Sequence, residues 1–346
     1  MMKTRILLLA ITVSFCFASC EKLLMPPDAE STPTATFDYL WDKVDKQYAF
    51  FDVKNVDWQA VYDSLRPKVN DKMSDDSLFA VLSAMLNCLD DGHVNVVSPN
   101  DVSHCQGVFS RMINNTNYDE NIVMQNYLKA NYHTTGGFMW NTLRDGRVVY
   151  VRYSSFSNSA SPKYFQYILN ANPNAEALIL DMRQNGGGSI VSEWDLLSCI
   201  AHPDSLKLYT SQIKNGPGRN DFTTPVAVYA PDTTSACKPC GLPIAVLTDR
   251  GTYSAGSFFT LCAKEYPNVI VMGDTTGGGL GLPNGGQLPN GWRYRFSITR
   301  TLANDGRNYE NGVPPDTVVR LIPGQTTQDN VIEQACQWLV SNIAAK

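Results

Sequence analysis

The stretch around Ser254 has the residue types that a nucleophile for acyl transfer would need. Residues 248 to 257 read Thr-Asp-Arg-Gly-Thr-Tyr-Ser-Ala-Gly-Ser, between an apolar run that predicts a buried strand and an apolar helical pattern that begins at Phe258. Small neighbours let a carbonyl carbon approach the serine Oγ. The free backbone N–H groups of a helix N-terminus can stabilise the negative charge that then develops. Taken alone, this composition is also typical of an ordinary turn.

Three further blocks accompany this stretch. They are a buried-type strand ending in Asp181, Arg183 and three glycines, a second strand running into glycines 277 to 279, and the run Glu310-Asn311-Gly312-Val313-Pro314-Pro315-Asp316. In this order and spacing the four blocks resemble peptidase family S41, serine peptidases that include C-terminal processing peptidases and the tricorn core. The resemblance covers residues 140 to 320. It implies an α/β core of the ClpP/crotonase type, a ββα superhelix, and an Asp181–Arg183 ion pair with a structural role.

The sequence departs from the processing peptidases at the general base. Their catalytic lysine lies after the next strand, where this chain reads Thr-Thr-Gly-Gly-Gly-Leu. Lys264 cannot replace it, because ten helical residues beyond Ser254 correspond to about 15 Å. Residues 89 to 95, Leu-Asp-Asp-Gly-His-Val-Asn, resemble the tricorn-like branch, in which a histidine faces the serine. The resemblance therefore implies that His93 is the base, and a pKa of about 6.5 suits this role. A structural or surface histidine is the alternative.

The remaining site residues also follow from the resemblance. Glu310 occupies the place of the carboxylate that completes the relay in the tricorn-like branch. The oxyanion hole would use the backbone N–H of Ala255 and, from the first glycine run, that of Gly187, with Gly186 as its neighbour. Glycine permits the unusual backbone dihedrals that turn an N–H inward.

The composition and the other motifs argue against several classes of function. A net charge of −5 gives no basic footprint for nucleic acid. Cys237 and Cys240 have zinc or redox spacing, but no second Cys or His pair lies nearby, which leaves a local disulfide or two inert thiols. Residues 277 to 281, Gly-Gly-Gly-Leu-Gly, lack the long helix and the acidic residue that follow a dinucleotide-binding loop. We expect no metal and no cofactor, and a peptide or unfolded protein as substrate.

The N-terminus predicts export and anchoring. Two basic residues precede an apolar run, Ile6 to Phe17, that is too short to span a bilayer and is typical of a signal peptide. Small residues before Cys20 resemble a bacterial lipoprotein signal, which implies a signal peptide over 1–19, a lipidated Cys20 and a flexible tether over 20–35. The membrane contact would be this lipid alone, on the periplasmic side or the outer-membrane surface of a bacterial cell envelope. A plain secreted protein is the alternative.

Residues 36–99 predict a small helical domain. Apolar residues at helical spacing indicate three helices, with Thr36 as a cap of the first, Asp57 of the second, and Ser74 or Asp75 of the third. The third helix would run into the Asp-Asp-Gly-His turn and so deliver the histidine to the domain that follows.

Residues 100–346 predict the peptidase domain. Short apolar strands at 148–153, 177–180, 244–247 and 269–272 are separated by helices, which indicates an α/β fold. Many relatives carry a PDZ domain between the two parts, but the interval from residue 93 to residue 148 is too short for one.

Two functions from different classes fit these observations. The first is a lipid-anchored serine endopeptidase or carboxy-terminal-type peptidase that acts through an acyl-enzyme. The second is a catalytically inactive peptide- or ligand-binding module on the same fold, which the missing lysine and Ser257, in place of a frequent glutamate, support. Retention of Ser254, His93 and both glycine loops favours the enzyme.

Overall fold

The computed structural model describes residues 30–233 and 235–344. The predicted signal peptide, the lipidation site Cys20 and most of the predicted tether lie outside these ranges. Within them, no helix combines the length and the apolar character that crossing a membrane requires.

Four helices form the N-terminal part of the described chain. They are α1 (Pro33–Gln47), α2 (Phe51–Lys54), α3 (Trp58–Leu65), which ends in a 3-10 turn at Arg66–Lys68, and α4 (Asp75–Asn87). The side chain of Asp57 accepts the N–H of Ala60 and that of Ser74 accepts the N–H of Ser77. The predicted caps of the second and third long helices are therefore confirmed.

The predicted cap of the first helix is wrong. Thr36 is buried inside α1, and the side chain of Thr32 caps the helix by accepting the N–H of Ala35 at 3.2 Å. Pro33 explains the earlier start, because its fixed φ and missing N–H suit the first position of a helix.

Thirteen strands and six further helices make up the rest of the described chain. The strands are β1 (Asn95–Val97), β2 (His133–Thr135), β3 (Phe138–Leu143), β4 (Val148–Tyr153), β5 (Ala177–Asp181), β6 (Lys207–Ile213), β7 (Val226–Tyr229), β8 (Ile244–Thr248), β9 (Val269–Gly273), β10 (Pro283–Gln287), β11 (Arg293–Ser297), β12 (Thr299–Ala303) and β13 (Thr317–Val318). The helices are α5 (Gln106–Asn114), α6 (Glu120–Ile122, continued by a π-helical segment Val123–Leu128), α7 (Pro162–Ala171), α8 (Ile190–Leu197), α9 (Ala255–Ala263) and α10 (Asn330–Ala344).

A seven-stranded sheet lies at the centre, in the order β13-β9-β8-β5-β4-β3-β2. The five strands from β13 to β4 are parallel, and β3 and β2 continue the sheet antiparallel at one edge. The four strands predicted from the sequence are β4, β5, β8 and β9, so these predictions are confirmed. Between His93 and Val148, the described chain forms β1, α5, α6 and the β2–β3 hairpin, with no PDZ-type domain among them.

Helices cover both faces of this sheet. One buried cluster joins its strands to α7, α8 and α9, and a second joins them to α6 and α10. Strands β4, β5 and β8 are buried along their whole length, as their continuous apolar runs predict for parallel strands covered on both sides.

Two three-stranded antiparallel sheets complete the fold, β1-β11-β10 and β12-β6-β7. Strand β1 follows the N-terminal helices directly, and its partner β11 lies in the C-terminal third of the chain. The helices α1 to α4 share one buried cluster with Leu288, Trp292, Tyr294 and Phe296 from the β10–β11 hairpin. The N-terminal helices and the C-terminal half therefore share a core across residue 99, which fixes the loop between α4 and β1 against the rest of the molecule.

Candidate active site

Ser254 lies at the junction between β8 and α9, where it is the residue before the first turn of the helix. Its backbone has φ 53° and ψ −123°, a conformation that costs free energy for any residue other than glycine. Two hydrogen bonds hold the turn: the Ser254 N–H donates to the Gly278 carbonyl, and the Tyr253 N–H donates to the Asn185 carbonyl, both at 2.9 Å. The strand-to-helix turn predicted from the sequence is confirmed.

His93 faces Ser254 from the loop between α4 and β1. The Nε2 atom of His93 lies 2.9 Å from the Oγ of Ser254, although the two residues are 161 positions apart. The imidazole is buried and packs against the ring of Tyr253, with ring centroids 5.1 Å apart. This pair has the geometry that proton transfer from a hydroxyl to an imidazole requires.

Burial lowers the pKa of His93 below its ordinary value. The negative charge of Asp91 and the backbone of Gly281 oppose this shift, whereas the charge of Arg295 adds to it. The imidazole is therefore neutral at pH 7, and in the tautomer protonated at Nδ1 its Nε2 can accept the proton of the Ser254 hydroxyl.

Glu310 does not make the expected contact with the imidazole. One oxygen of its buried carboxyl accepts the N–H of Leu280 at 2.6 Å, and no hydrogen bond joins it to His93. Burial, and next the charge of Asp91, raise the pKa of Glu310 well above its usual range. The backbone after the glycines 277 to 279 competes successfully for this carboxyl, so the prediction that Glu310 orients His93 is wrong in this structure. Among the described residues, no group hydrogen-bonds to the Nδ1 of His93.

The carboxylate of Asp91 raises the pKa of His93 through its charge. The sequence alone indicated no role for this residue. Its Oδ1 accepts the backbone N–H of His93 at 2.7 Å, and its Oδ2 accepts the hydroxyls of Tyr48 at 3.0 Å and Ser297 at 3.2 Å. The Asp-Gly-His spacing could have indicated a tight turn closed by the aspartate. Tyr48 and Ser297 reach Asp91 only through tertiary packing.

The backbone N–H groups of Ala255 and Gly187, the two predicted oxyanion donors, differ in whether they already have a hydrogen-bond partner. The N–H of Ala255, at the start of α9, has no hydrogen-bond partner among the described residues. Gly187 lies against the serine, because a Cβ placed there would be 2.8 Å from the Cβ of Ser254. Its own N–H, however, donates to the Oδ1 of Asn185 at 3.0 Å, so the prediction that this N–H is free for an oxyanion is wrong. Gly186 is exposed and faces open space.

The third glycine of the run offers the free N–H instead. The Gly187 carbonyl accepts the N–H of Phe156 at 2.9 Å. In a trans peptide the next N–H points to the opposite side, so the N–H of Gly188 points away from Phe156. It has no partner in the part of the chain that the structure describes. The φ of 140° at Gly188, with Ser157 N only 2.3 Å from a Cβ placed there, restricts the position to glycine.

A buried ion pair supports this glycine loop. The Arg183 and Asp181 side chains meet at 2.6 Å with both fully buried, and Arg183 also contacts Asp329 at 2.8 Å. The hydroxyl of Tyr150 donates to Asp181 at 2.7 Å. The predicted structural ion pair is confirmed, and it fixes the end of β5 just before the loop.

The other described residues that the sequence singled out make no hydrogen bond to the Ser254 hydroxyl. Lys264 pairs with Asp316, and the Ser257 hydroxyl donates to the Thr252 carbonyl at 3.0 Å. Cys237 and Cys240 are buried free thiols, the second of the two states that the sequence left open. Within the described ranges, no three His, Cys, Asp or Glu side chains are grouped so that they could hold a metal ion.

Comparison with known proteins assigns the family. Residues 147–319 match peptidase family S41, and residues 30–87 match the tricorn protease C1 domain. A crystal structure from Parabacteroides merdae ATCC 43184 is 36% identical, with a TM-score of 0.82, and the match covers 89% of this chain and 96% of that chain. The chain belongs to peptidase family S41. The resemblance to peptidase family S41 and to its tricorn-like branch is thereby confirmed, and so is the fold class.

More distant relatives agree on the fold. The structure of mature CPAF has a TM-score of 0.65 at 14% identity and covers 90% of this chain and 98% of that chain. The carboxy-terminal processing protease CtpB of Bacillus subtilis (strain 168) is 22% identical over 175 residues, which are 50% of this chain. The chain matches only about a third of the length of that curated relative.

Proposed function

We propose that this protein is a serine peptidase that cleaves peptide bonds through an acyl-enzyme, with Ser254 as the nucleophile and His93 as the general base. The observation that carries the proposal is the 2.9 Å contact between His93 Nε2 and Ser254 Oγ, at the N-terminus of a helix and beside a glycine loop. The lowered pKa of His93 supports it, because a base must be unprotonated at the working pH.

The reaction follows from this arrangement. His93 takes the Oγ proton while Ser254 attacks the carbonyl carbon, which gives a tetrahedral intermediate. The N–H groups of Ala255 and Gly188 are the proposed oxyanion donors, and losing one such donor typically costs about 3 to 4 kcal/mol of activation free energy. His93 then passes the proton to the departing amine, and water releases the acyl group by the same steps in reverse.

The two acidic residues near the site have different proposed roles. Asp91 closes the turn that carries His93 and places a negative charge near the imidazole, which stabilises the imidazolium formed during attack. Glu310 holds the backbone of Leu280 in place and acts on His93 only through this backbone. Both are therefore positioning residues.

The substrate class and the location remain part of the proposal. We infer peptides or unfolded chains as substrates, cleaved internally or near the carboxyl end, since the relative from Bacillus subtilis is a carboxy-terminal processing protease. The N-terminal sequence supports a lipoprotein held to a bacterial envelope membrane through Cys20. Metabolic labelling with a fatty acid should mark the full-length chain and leave Cys20→Ala unlabelled.

A fluorophosphonate probe tests the catalytic proposal. The purified protein should become labelled at Ser254, whereas Ser254→Ala and His93→Ala should not, and a peptide library should be cleaved only by the unaltered protein. If the probe does not react and no peptide is cleaved, while peptides still bind, the inactive binding module is the better description. The absence of the family's usual lysine makes this control necessary.

A further inference from the structure

A groove of about 790 Å³ lies over the outer face of the sheet β1-β11-β10. Its floor consists of the residues that face away from the core, two from each strand. These are Asn95, Val97, Arg293, Arg295, Gly285 and Gln287. The inner face of the same sheet packs Val96, Tyr294 and Phe296 against the N-terminal helices. The groove therefore lies on the solvent-facing side of a sheet whose other face is packed into the core.

Two arginines occupy the centre of this floor. Arg295 is paired with Asn95 on one side and with Gly285 on the other, and Arg293 is paired with Val97 and Gln287. Residues two apart on a strand project from the same face about 7 Å from each other, so the two guanidinium groups form one cationic surface. Gly285 has no side chain to cover Arg295.

These two arginines have no partner in the described ranges. Every other arginine there makes an ion pair or donates a side-chain hydrogen bond, but Arg293 and Arg295 do neither, and both are exposed. A guanidinium presents a planar fork of donors that matches a carboxylate in two parallel hydrogen bonds. Two adjacent unpaired forks make the groove complementary to an anionic group.

One strand of the groove begins close to His93 along the chain. Strand β1 of the floor starts two residues after His93, and strand β10 starts two residues after Gly281, whose backbone raises the pKa of His93. The charge of Arg295 also lowers the pKa of His93, as expected for a nearby cation. The end of the groove that carries Asn95 and Arg295 therefore lies toward the base.

Its position on the base side indicates which part of a substrate it receives. The imidazole hands its proton to the departing amine, so the leaving segment, carboxyl-terminal to the cleaved bond, must lie on the His93 side of Ser254. We propose that this groove is the site for the leaving segment and that Arg293 and Arg295 bind a carboxylate on it. This inference rests on the proposed peptidase function and adds its substrate class: peptides with a negative charge downstream of the cleaved bond.

The register gives the position of that charge. Asn95, the neighbour of Arg295, lies two residues beyond His93, so the Cα atoms of these two residues are at most about 7 Å apart. An extended peptide advances about 3.3 Å per residue, and the arginine side chain adds reach of its own. The carboxylate should therefore belong to about the second to fourth residue after the cleaved bond. It can be the free C-terminus of a short leaving segment or the side chain of Asp or Glu.

A peptide library in free-acid and C-terminal amide forms tests the inference. Mass spectrometry identifies cleaved peptides, and the best one is resynthesised as acid or amide, each with Glu or Gln at the second to fourth leaving position. We expect the forms that carry a carboxylate there to be cleaved about tenfold or more faster in kcat/KM, chiefly through KM. The acid–amide pair reports a C-terminal carboxylate and the Glu–Gln pair reports a side chain.

Variants connect this preference to the groove. Arg295→Gln and the double variant Arg293→Gln/Arg295→Gln should abolish the preference, so that within each variant the acid and neutral peptides have the same kcat/KM to within about twofold. Arg147→Gln is the matched control, because Arg147 is an exposed arginine at the start of β4, the end of the parallel strands opposite to Ser254. It should retain the preference. Unchanged circular dichroism and melting curves exclude a folding defect, since both groove arginines are exposed.

The outcomes separate this inference from the proposed function. If Ser254-dependent cleavage occurs but acid and neutral peptides are equal, or if Arg295→Gln keeps the preference, the groove assignment is wrong and the peptidase stands. Binding of the fluorescein-labelled acid peptide to Ser254→Ala, measured by anisotropy, tests the groove without catalysis. Arg295-dependent binding supports the groove even if no peptide is cleaved, and equal binding in both the acid–amide pair and the Glu–Gln pair overturns it.

Discussion

The imidazole of His93 contacts the hydroxyl of Ser254 at 2.9 Å because strand β1, which begins two residues after the histidine, is paired with β11 from the far end of the chain. The serine is fixed separately, at the end of a parallel strand buried on both faces. The contact therefore depends on the shared core between the N-terminal helices and the β10–β11 hairpin. Hydrolysis should be lost whenever this core opens, before the central sheet unfolds.

Ser254→Ala should reduce peptide hydrolysis at least a thousandfold, because no other hydroxyl or thiol can take over attack at this position. The melting temperature should change little, since only one oxygen atom is removed. Ser341→Ala, on an exposed part of α10, is the control and should keep full activity. Equal turnover by Ser254→Ala would show that the nucleophile is another residue.

Ser254→Gly should be more stable than Ser254→Ala, although both are inactive. The backbone at this position has φ 53° and ψ −123°, which glycine adopts without the steric cost that any Cβ imposes. We expect a difference of about 1 kcal/mol or more in the free energy of unfolding, measured by urea denaturation. A glycine variant that is no more stable than the alanine variant would mean that the turn is not strained.

The pH dependence of kcat/KM should have an acid limb set by His93. Burial lowers the pKa of this imidazole, so the neutral, active form persists below the ordinary value of about 6.5. Activity should therefore rise with pH through a midpoint below 6.5 and be complete at neutral pH. His93→Ala should lose nearly as much rate as Ser254→Ala. An acid limb centred above 7 would contradict this environment for the base.

Apart from His93, whose contact with Ser254 across 161 positions the family resemblance implied, the features that the sequence located correctly depend on local pattern. The strand before Ser254, the glycine runs and the Asp181–Arg183 pair each follow from types and spacing within a few positions. The roles that were assigned wrongly depend on which of several hydrogen-bond partners, some far away in the sequence, each group meets in the folded chain. Glu310 is held by the Leu280 N–H, and the Gly187 N–H is held by Asn185. Sequence spacing indicates that these groups come near the site, but not which of several donors and acceptors each one meets.

The same limit explains Asp91 and the cap of α1. Asp91 gains its role from Tyr48 and Ser297, which lie 43 and 206 positions away and reach it only in the folded chain. Thr36 had a residue type that favours a cap, but Pro33 sets an earlier start, and the buried face of α1 then includes Thr36. The spacing of the apolar residues identified the helix, but Pro33 determined where it begins.

Asp91→Asn and Glu310→Gln should have different effects on the pH profile, because only Asp91 acts on His93 through its charge. The charge of Asp91 raises the pKa of His93, so its removal should move the acid limb of the pH profile to lower pH and weaken stabilisation of the imidazolium, which reduces kcat. Glu310→Gln keeps an oxygen acceptor for the Leu280 N–H and should leave the limb in place with a smaller loss of rate. The opposite order, with the limb moved by Glu310→Gln alone, would restore Glu310 as the partner of the base.

Arg183→Met should be among the most destabilising single substitutions in the chain. Arg183 is fully buried between Asp181 and Asp329, and its removal leaves two carboxylates without their cation in a site that water does not reach. Breaking a buried ion pair by removing one partner typically costs about 3 to 5 kcal/mol of unfolding free energy, which urea denaturation can measure. Arg147→Met, which breaks the exposed pair with Glu176, is the control and should cost at most about 1 kcal/mol.

Because β5 ends at Asp181, the Arg183 variant should also disorder the glycine loop and lose activity at temperatures where the chain is still folded. Equal stability of the two variants would mean that the buried pair contributes nothing to the fold.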